Sequence, residues 1–401
     1  MQRAIGTVQT CPFRQGRSPC YTRYTMSTTI PPRPDQPTQA AQSSPAPQRV
    51  TVAQALRIAR EQKASDLHIL GNTYLRLRVS RRVTAVPYIV ARDDVSAYVA
   101  GLRERDPAAD AKMKRLGAFD IRDTDEQGGA LRLHVYQDGS GLRLAMRLLG
   151  NKPPVFADLG LPRIIESFVD KASGLLLIAG PQGTGKTHLQ HALVDTINRQ
   201  GGRSVVVIEH PKEFQHEPAA GSIIIQQEPG PASHTPSYAQ GVVSAMNADS
   251  NVIVIGQITS ADEARAALDA AVKGSLVIAT IHARNAVQSI ESLVSWFPPD
   301  DVERVRLQIA QSFIAAVSLR LLPHVGSGVQ PVAEVLVTDE VVTRSIASGT
   351  TDKIRSHHMP QQRAHGNITL EAAMNEQIQA RRVRASDARK EAVFPDEVRE
   401  G

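Results

Sequence analysis

A chain of 401 residues, 41% hydrophobic and 21% charged, has room for two or three domains and a sizeable core. Only 4% of it is aromatic, so aliphatic side chains must build that core, and a base-stacking platform for nucleic acid is disfavoured. The net charge of +6 is spread out, with no basic run longer than Arg81-Arg82 or Arg381-Arg382, which suits a phosphate ligand or the inner face of a membrane; two cysteines, Cys11 and Cys20, argue against a disulfide framework.

Residues 1–48 are expected to be a disordered extension. Pro31, Pro32, Pro34, Pro37, Pro45 and Pro47 stand there among Ser, Thr and Gln, which cannot pack a core. Met26 is the expected translation start. The apolar runs, such as residues 175–179, are far too short to span a bilayer, so a cytoplasmic protein with at most peripheral membrane attachment is expected.

Residues 49–150 read as a small α+β domain. Val52, Leu56 and Ala59 have helical spacing, and residues 95–102 continue in that manner. Residues 67–70 and 75–79 read as strands, the second with strict alternation. Residues 130–135 and 142–148 alternate again around Asp138-Gly139-Ser140-Gly141, a hairpin turn signal.

After a linker at residues 151–154 the pattern becomes strands separated by helices, which implies a mostly parallel sheet over residues 155–349. The strand candidates are residues 175–179, 204–208, 252–255, 276–280 and 332–337. Leu189, Ala192, Leu193, Thr196 and Ile197 mark one helix, and Ala264, Ala267, Leu268 and Ala271 a second. Val302, Val305, Ile309, Phe313 and Val317 mark a third. Residues 350–401 form a polar region with helical character, and no internal repeat is visible.

Chemistry concentrates in the second segment. Gly180-Pro181-Gln182-Gly183-Thr184-Gly185-Lys186-Thr187 fits G-x-x-x-x-G-K-[ST], with an apolar strand before it and an amphipathic helix after it. The glycines let backbone N–H groups turn inward around phosphates, and the helix N-terminus adds partial positive charge. Lys186 is then placed for the β- and γ-phosphates of ATP, and the Thr187 hydroxyl for Mg²⁺. A second apolar strand, residues 252–255, ends at Gly256-Gln257, where most such enzymes carry an acid. His188 and His191 share a helix face and His357-His358 are adjacent, but neither pair has the three or four ligands of a zinc site.

Other segments add to this. They are Ala64-Ser65-Asp66-Leu67-His68-Ile69, Val207-Ile208-Glu209-His210-Pro211-Lys212-Glu213-Phe214, Ile225-Gln226-Gln227-Glu228 and Ala279-Thr280-Ile281-His282. With the glycine-rich motif and the strand before Gln257, they fall in the order of an N-terminal signature, Walker A, acidic box, Q-R-E segment, Walker B and histidine box. From about Ala64 to Arg355 the chain therefore resembles the PilT-type members of the type II/IV secretion ATPase superfamily.

That resemblance implies an α/β protein with a PAS-like N-terminal domain, a RecA-like P-loop ATPase domain and a helical C-terminal region. It implies a homo-hexamer with nucleotide between the two domains, seated at the inner membrane against a platform protein of a pilus, conjugation or secretion machine. Arg132 and Arg147 fall where the family carries arginines that reach a neighbouring subunit's nucleotide. Gln257 replaces the family's catalytic glutamate, and an amide cannot accept a proton from water, although it can orient one. His210 replaces an acidic-box Asp, Asn247 an expected Arg and Ser275 a His, and Gly256-Gln257-Ile258-Thr259-Ser260 stands for G-E-M-R-D. Glu209 remains as a candidate base, with Glu213 and Glu228 behind it. The leading expectation is an ATP-hydrolysing motor, and the second is a hydrolysis-impaired nucleotide-binding subunit working beside an active paralogue. DNA translocation is disfavoured, because no concentrated basic stripe is present.

Overall fold

Alternation in three of its strands marks the first of two sheets. The computed structural model describes residues 47–79, 82–126, 129–148, 152–219, 221–230 and 233–400; all but the end of the expected N-terminal extension lies outside them. The first sheet contains β1 (Gln48–Arg49), β2 (Asp66–Leu70), β3 (Tyr74–Val79), β4 (Arg82–Ile89), β5 (Ala118–Thr124), β6 (Ala130–Asp138) and β7 (Gly141–Leu148). Their order is β1-β4-β3-β2-β7-β6-β5, antiparallel throughout except for β1 beside β4. The β6–β7 hairpin turns at Gly139-Ser140, as the D-G-S-G signal predicts.

Leu67, Ile69, Leu75, Leu77, Leu131, Leu133, Val135, Leu144 and Met146 point to one face and are buried. Helices α1 (Val52–Glu61), α2 (Arg92–Arg105) and α3 (Pro107–Leu116) cover that face through Ala55, Leu56, Val95, Val99, Leu102 and Met113. Helix α1 begins with a capping box between Thr51 and Gln54, and α3 is capped by Asp106 ahead of Pro107. The opposite face carries the residues of the other parity, among them Asp66, His68, Arg132, His134 and Arg147.

The second sheet holds β8 (Gly174–Ala179), β9 (Ser204–Ile208), β10 (Ile223–Gln227), β11 (Val252–Ile255), β12 (Leu276–Ile281), β13 (Phe313–Pro323) and β14 (Val329–Val337). Their order is β10-β9-β11-β12-β8-β13-β14, and every neighbouring pair is parallel except β13 with β14. After the short α4 (Ile164–Ser167), helix α5 (Lys186–Gln200) packs Leu189, Ala192, Leu193 and Ile197 on one face of the sheet. Helices α6 (Tyr238–Asn247), α7 (Ala261–Lys273), α8 (Ala286–Ser295) and α9 (Val302–Ser312) pack on the other. Strands β8, β11 and β12 are buried along their whole length, so they read as unbroken apolar runs.

One expected element is corrected. The helical spacing of Val302, Val305 and Ile309 holds in α9, but the helix ends at Ser312, and Phe313 and Val317 lie on β13. This strand is covered on both faces, so it has no two-residue period, and its apolar residues continue the helical pattern by coincidence.

Beyond β14 come α10 (Glu340–Ser348), α11 (Met359–Gln361), α12 (Leu370–Gln379) and α13 (Ala385–Glu391). Leu370, Met374, Ile378 and Ala388 close a small core against Leu322 and Val332. Both sheets belong to one compact unit, Ala46–Gly401, and Arg122 of β5 reaches across to Glu228, just past β10, at 3.4 Å. Among the described residues no helix is long and apolar enough to cross a membrane.

Candidate nucleotide site

In a parallel sheet flanked by helices, ligands are met at the carboxyl ends of the strands. Ile208, Ile255, Ala279 and Leu177 lie in register across β9, β11, β12 and β8. The residues that follow are therefore gathered at one edge: Glu209 after β9, Gly256 and Gln257 after β11, His282 after β12, and the loop 180–185 after β8.

That loop has the conformation its glycines allow. Gly180, Gly183 and Gly185 all take positive φ (141°, 74° and 93°). A Cβ on Gly180 would come within 2.7 Å of Thr184 Oγ1 and 2.8 Å of the Leu319 carbonyl oxygen. The Thr184 hydroxyl donates to the Pro181 carbonyl at 2.9 Å, and the Lys186 ammonium donates to the carbonyls of Gly180 and Pro181 at 2.9 and 2.8 Å. Gln182 is exposed at the tip of the loop. Gln190, buried one turn along α5, donates to the carbonyls of Ile255 and Ile278 at 2.9 and 3.2 Å and ties the helix to two strand ends.

Among the described residues, Lys186 is held without a carboxylate partner. Burial, and then the charge of Arg320, push its ammonium down to about 8. A bound polyphosphate favours the charged form, so nucleotide binding should be at full strength below pH 8 and take up a proton above it. Affinity for ADP, measured by calorimetry from pH 7 to 9.5, should fall towards tenfold per unit above pH 8. A flat profile would mean that Lys186 does not face the phosphates.

His282 stands beside Gly180 and Lys186; partial burial, and then the Lys186 charge, hold its imidazole below the ordinary histidine range. The segment after it is pinned from two sides. Arg320, buried in β13, donates to the Arg284 carbonyl, and Glu334 of β14 accepts from the Ala286 N–H at 2.6 Å.

Glu209 is the most enclosed acid of the site. Its Oε2 lies 2.8 Å from His191 Nε2, and its Oε1 meets, among the described residues, only Gln226 Nε2, at 3.4 Å. His191 Nδ1 is in turn 2.8 Å from His216 Nε2. Glu213 lies close by; burial, and then the charge of Glu209, raise its carboxyl, while His191, Arg147 and Arg132 oppose the rise. Gln257, next after Gly256, is half-buried, and its side chain has no hydrogen-bond partner among the described residues.

The strand ends fit closely. A Cβ on Gly256 would lie 2.9 Å from Glu209 Cβ and 3.2 Å from the Ile208 carbonyl oxygen. Gly256→Ala should therefore part β9 from β11 and destabilise the protein by about 1–3 kcal/mol, the usual effect of overpacking. Thermal unfolding measures this, and an unchanged midpoint would contradict the close fit.

Arg132 and Arg147 are cross-strand partners on the polar face of the first sheet, and Arg122 is the next partner of Arg132. Arg147 Nε donates to Asp66 Oδ1 at 3.1 Å, and Arg78 also pairs with Asp66. The charge of Arg147 is felt at His188 as well as at Glu213. The three arginines thus form a row near the acidic strand ends of their own chain. Sequence reasoning missed Arg122, Arg320 and His216. A pattern in β13 and β5 could not have marked the two arginines, whereas His216 stands just two residues after the acidic box. His191 was read only as a poor zinc ligand, yet its place one turn after Thr187 is what turns it towards Glu209.

Residues 41–392 match the family described as type II/IV secretion system protein. The chain belongs to this family. It is 29% identical over 315 residues to the Escherichia coli (strain K12) protein YggR, covering 78% of this chain and 94% of that one. It is 25% identical over 353 residues to the type IV pilus retraction ATPase PilT of Pseudomonas aeruginosa, covering 86% and 99%. The crystal structure of the pilus retraction motor PilT with bound ADP superimposes with a TM-score of 0.75 at 25% identity, over 87% of this chain and 98% of that one. The Legionella pneumophila ATPase DotB gives a TM-score of 0.74 at 20% identity, a likeness of fold.

Proposed function

We propose that this chain is an ATP-binding and ATP-hydrolysing subunit of a ring-shaped motor that powers pilus retraction or a related secretion or conjugation apparatus. The observation that carries this reading is the complete phosphate loop between β8 and α5, with Lys186 held at its rim. Lys186 and the backbone of residues 180–187 bind the triphosphate. The Thr187 hydroxyl is half-buried and has no hydrogen bond among the described residues, so it fits the Mg²⁺ that accompanies ATP and neutralises charge on the β- and γ-phosphates. Glu209 takes the proton of the attacking water, Gln257 orients that water, and His282 stands beside the phosphate loop. In the cell the ring sits at the inner face of the membrane against a platform protein.

A second reading is favoured by Gln257: a hydrolysis-impaired subunit that works beside an active paralogue. Mixing tests the motor directly. In a homo-hexamer whose Arg132 and Arg147 act across subunit boundaries, Arg147→Ala and Lys186→Ala subunits complement one another. Mixed preparations should then hydrolyse ATP several-fold faster than the sum of the two variants alone. Mixtures that never exceed that sum would confine Arg147 to its own chain's site, where it faces Glu213.

A further inference from the structure

Three buried side chains behind the phosphate loop form a continuous line. Glu209, His191 and His216 are 3%, 0% and 2% exposed, and two 2.8 Å contacts join them. They come from three places: the end of β9, the middle of α5 and the segment before β10.

The hydrogen-bond roles follow from the end of the line. An ionised carboxylate only accepts, so His191 Nε2 donates to Glu209 Oε2. On the other side of the ring, His191 Nδ1 and His216 Nε2 share one hydrogen bond, one nitrogen donating and the other accepting. His216 Nδ1 is a buried atom without a partner among the described residues. Burial, and then the neighbouring His191, push the His216 imidazole down to about 3, so it stays neutral. Phe214 packs against His191 with ring centroids 4.9 Å apart and walls the line off. The other charged or titratable groups near His191 are Glu213 and His188. Apolar residues would fill this volume without leaving a buried nitrogen unpartnered, so stability alone does not account for the line.

We propose that His191, oriented by His216, is a positioning residue that holds Glu209 as the base for ATP hydrolysis. This rests on the reading of Glu209 as that base. Oε2 is held by His191 at 2.8 Å, and Oε1, with only the longer 3.4 Å contact from Gln226 among the described residues, is the oxygen assigned to the water proton. As the water oxygen bonds to the γ-phosphorus, the bridging P–O bond breaks and its electron pair leaves with ADP. The water proton goes to Oε1, and no further group is consumed. Where Gln257 offers no carboxylate, the rotamer of Glu209 decides whether a base is present at all.

The test uses the purified full chain and compares kcat, KM and ADP binding. His191→Ala should lower kcat by roughly tenfold or more with KM within about twofold, since a misaimed catalytic group costs rate rather than binding. His191→Gln, whose amide can still donate to Oε2, should recover most of the loss. His216→Ala keeps His191 but frees its Nδ1, and should lower kcat in the same sense; it carries the test if His191→Ala does not fold. If Glu209→Gln is inactive while His191→Ala and His216→Ala keep wild-type kcat, the positioning role is overturned. Equal loss in His191→Ala and His191→Gln, with ADP binding intact, overturns it too. If Glu209→Gln itself stays active, the reading of the base has failed instead.

Discussion

Lys186→Ala is expected to weaken nucleotide binding by roughly ten- to a hundredfold and to remove turnover. The ammonium is half-buried at the mouth of the loop, where two carbonyls hold it and, among the described residues, no carboxylate neutralises it. A triphosphate arriving there exchanges those carbonyls for charge-assisted bonds, each worth about 1.5–3 kcal/mol. Alanine removes the bonds and leaves the phosphate charge uncompensated in a partly dehydrated site. The fold should survive, because Lys186 contributes nothing to the core below α5. Equilibrium binding of ADP and steady-state hydrolysis, with thermal unfolding as the control, measure the effect. Near-normal binding in a folded variant would remove the phosphate loop from the site.

The place of Lys186 was legible in the sequence because it is set locally: eight consecutive residues, one strand and one helix specify it. Glu209, Gln257 and His282 were legible for a related reason, since each is the first polar group after a buried strand. The first sheet was legible where one face is solvated, as in β3 and β6, and the alternation of Leu75, Arg76, Leu77 and Arg78 gives it directly. Strand β13 was not legible, because burial on both faces erases the period that separates strand from helix. Arg122 was not legible either. Its meaning lies in a contact with Glu228, more than a hundred residues away, and no local pattern encodes which face of β5 meets the other sheet. His191 could be seen, but its partners could not. The helical spacing puts it on a face, and only the fold brings Glu209 and His216, from the end of β9 and the segment before β10, to its ring.

Glu209→Gln is expected to abolish hydrolysis, and Gln257→Glu to raise it. The two predictions belong together because they ask which strand end supplies the base. Glu209 and Gln257 follow neighbouring strands, past the register pair Ile208 and Ile255, at the edge of the sheet where the phosphate loop follows β8. A carboxylate takes the water proton, whereas an amide does not. Losing the base costs about 10² to 10⁴ in rate, which stops a motor without stopping binding. Wild-type turnover should therefore be slow and depend wholly on Glu209. In Gln257→Glu a carboxylate is placed at the end of β11, where it meets an intact Lys186, Thr187 and His282. Gln257 has no hydrogen-bond partner to lose among the described residues, so the exchange should not disturb the strand ends. Steady-state ATPase rates of wild type, Glu209→Gln and Gln257→Glu decide the matter, with ADP binding as the control for folding. Fast wild-type turnover that falls in Gln257→Glu would reverse the reading: the amide would then be orienting the attacking water, and a second acid beside Glu209 would only add repulsion.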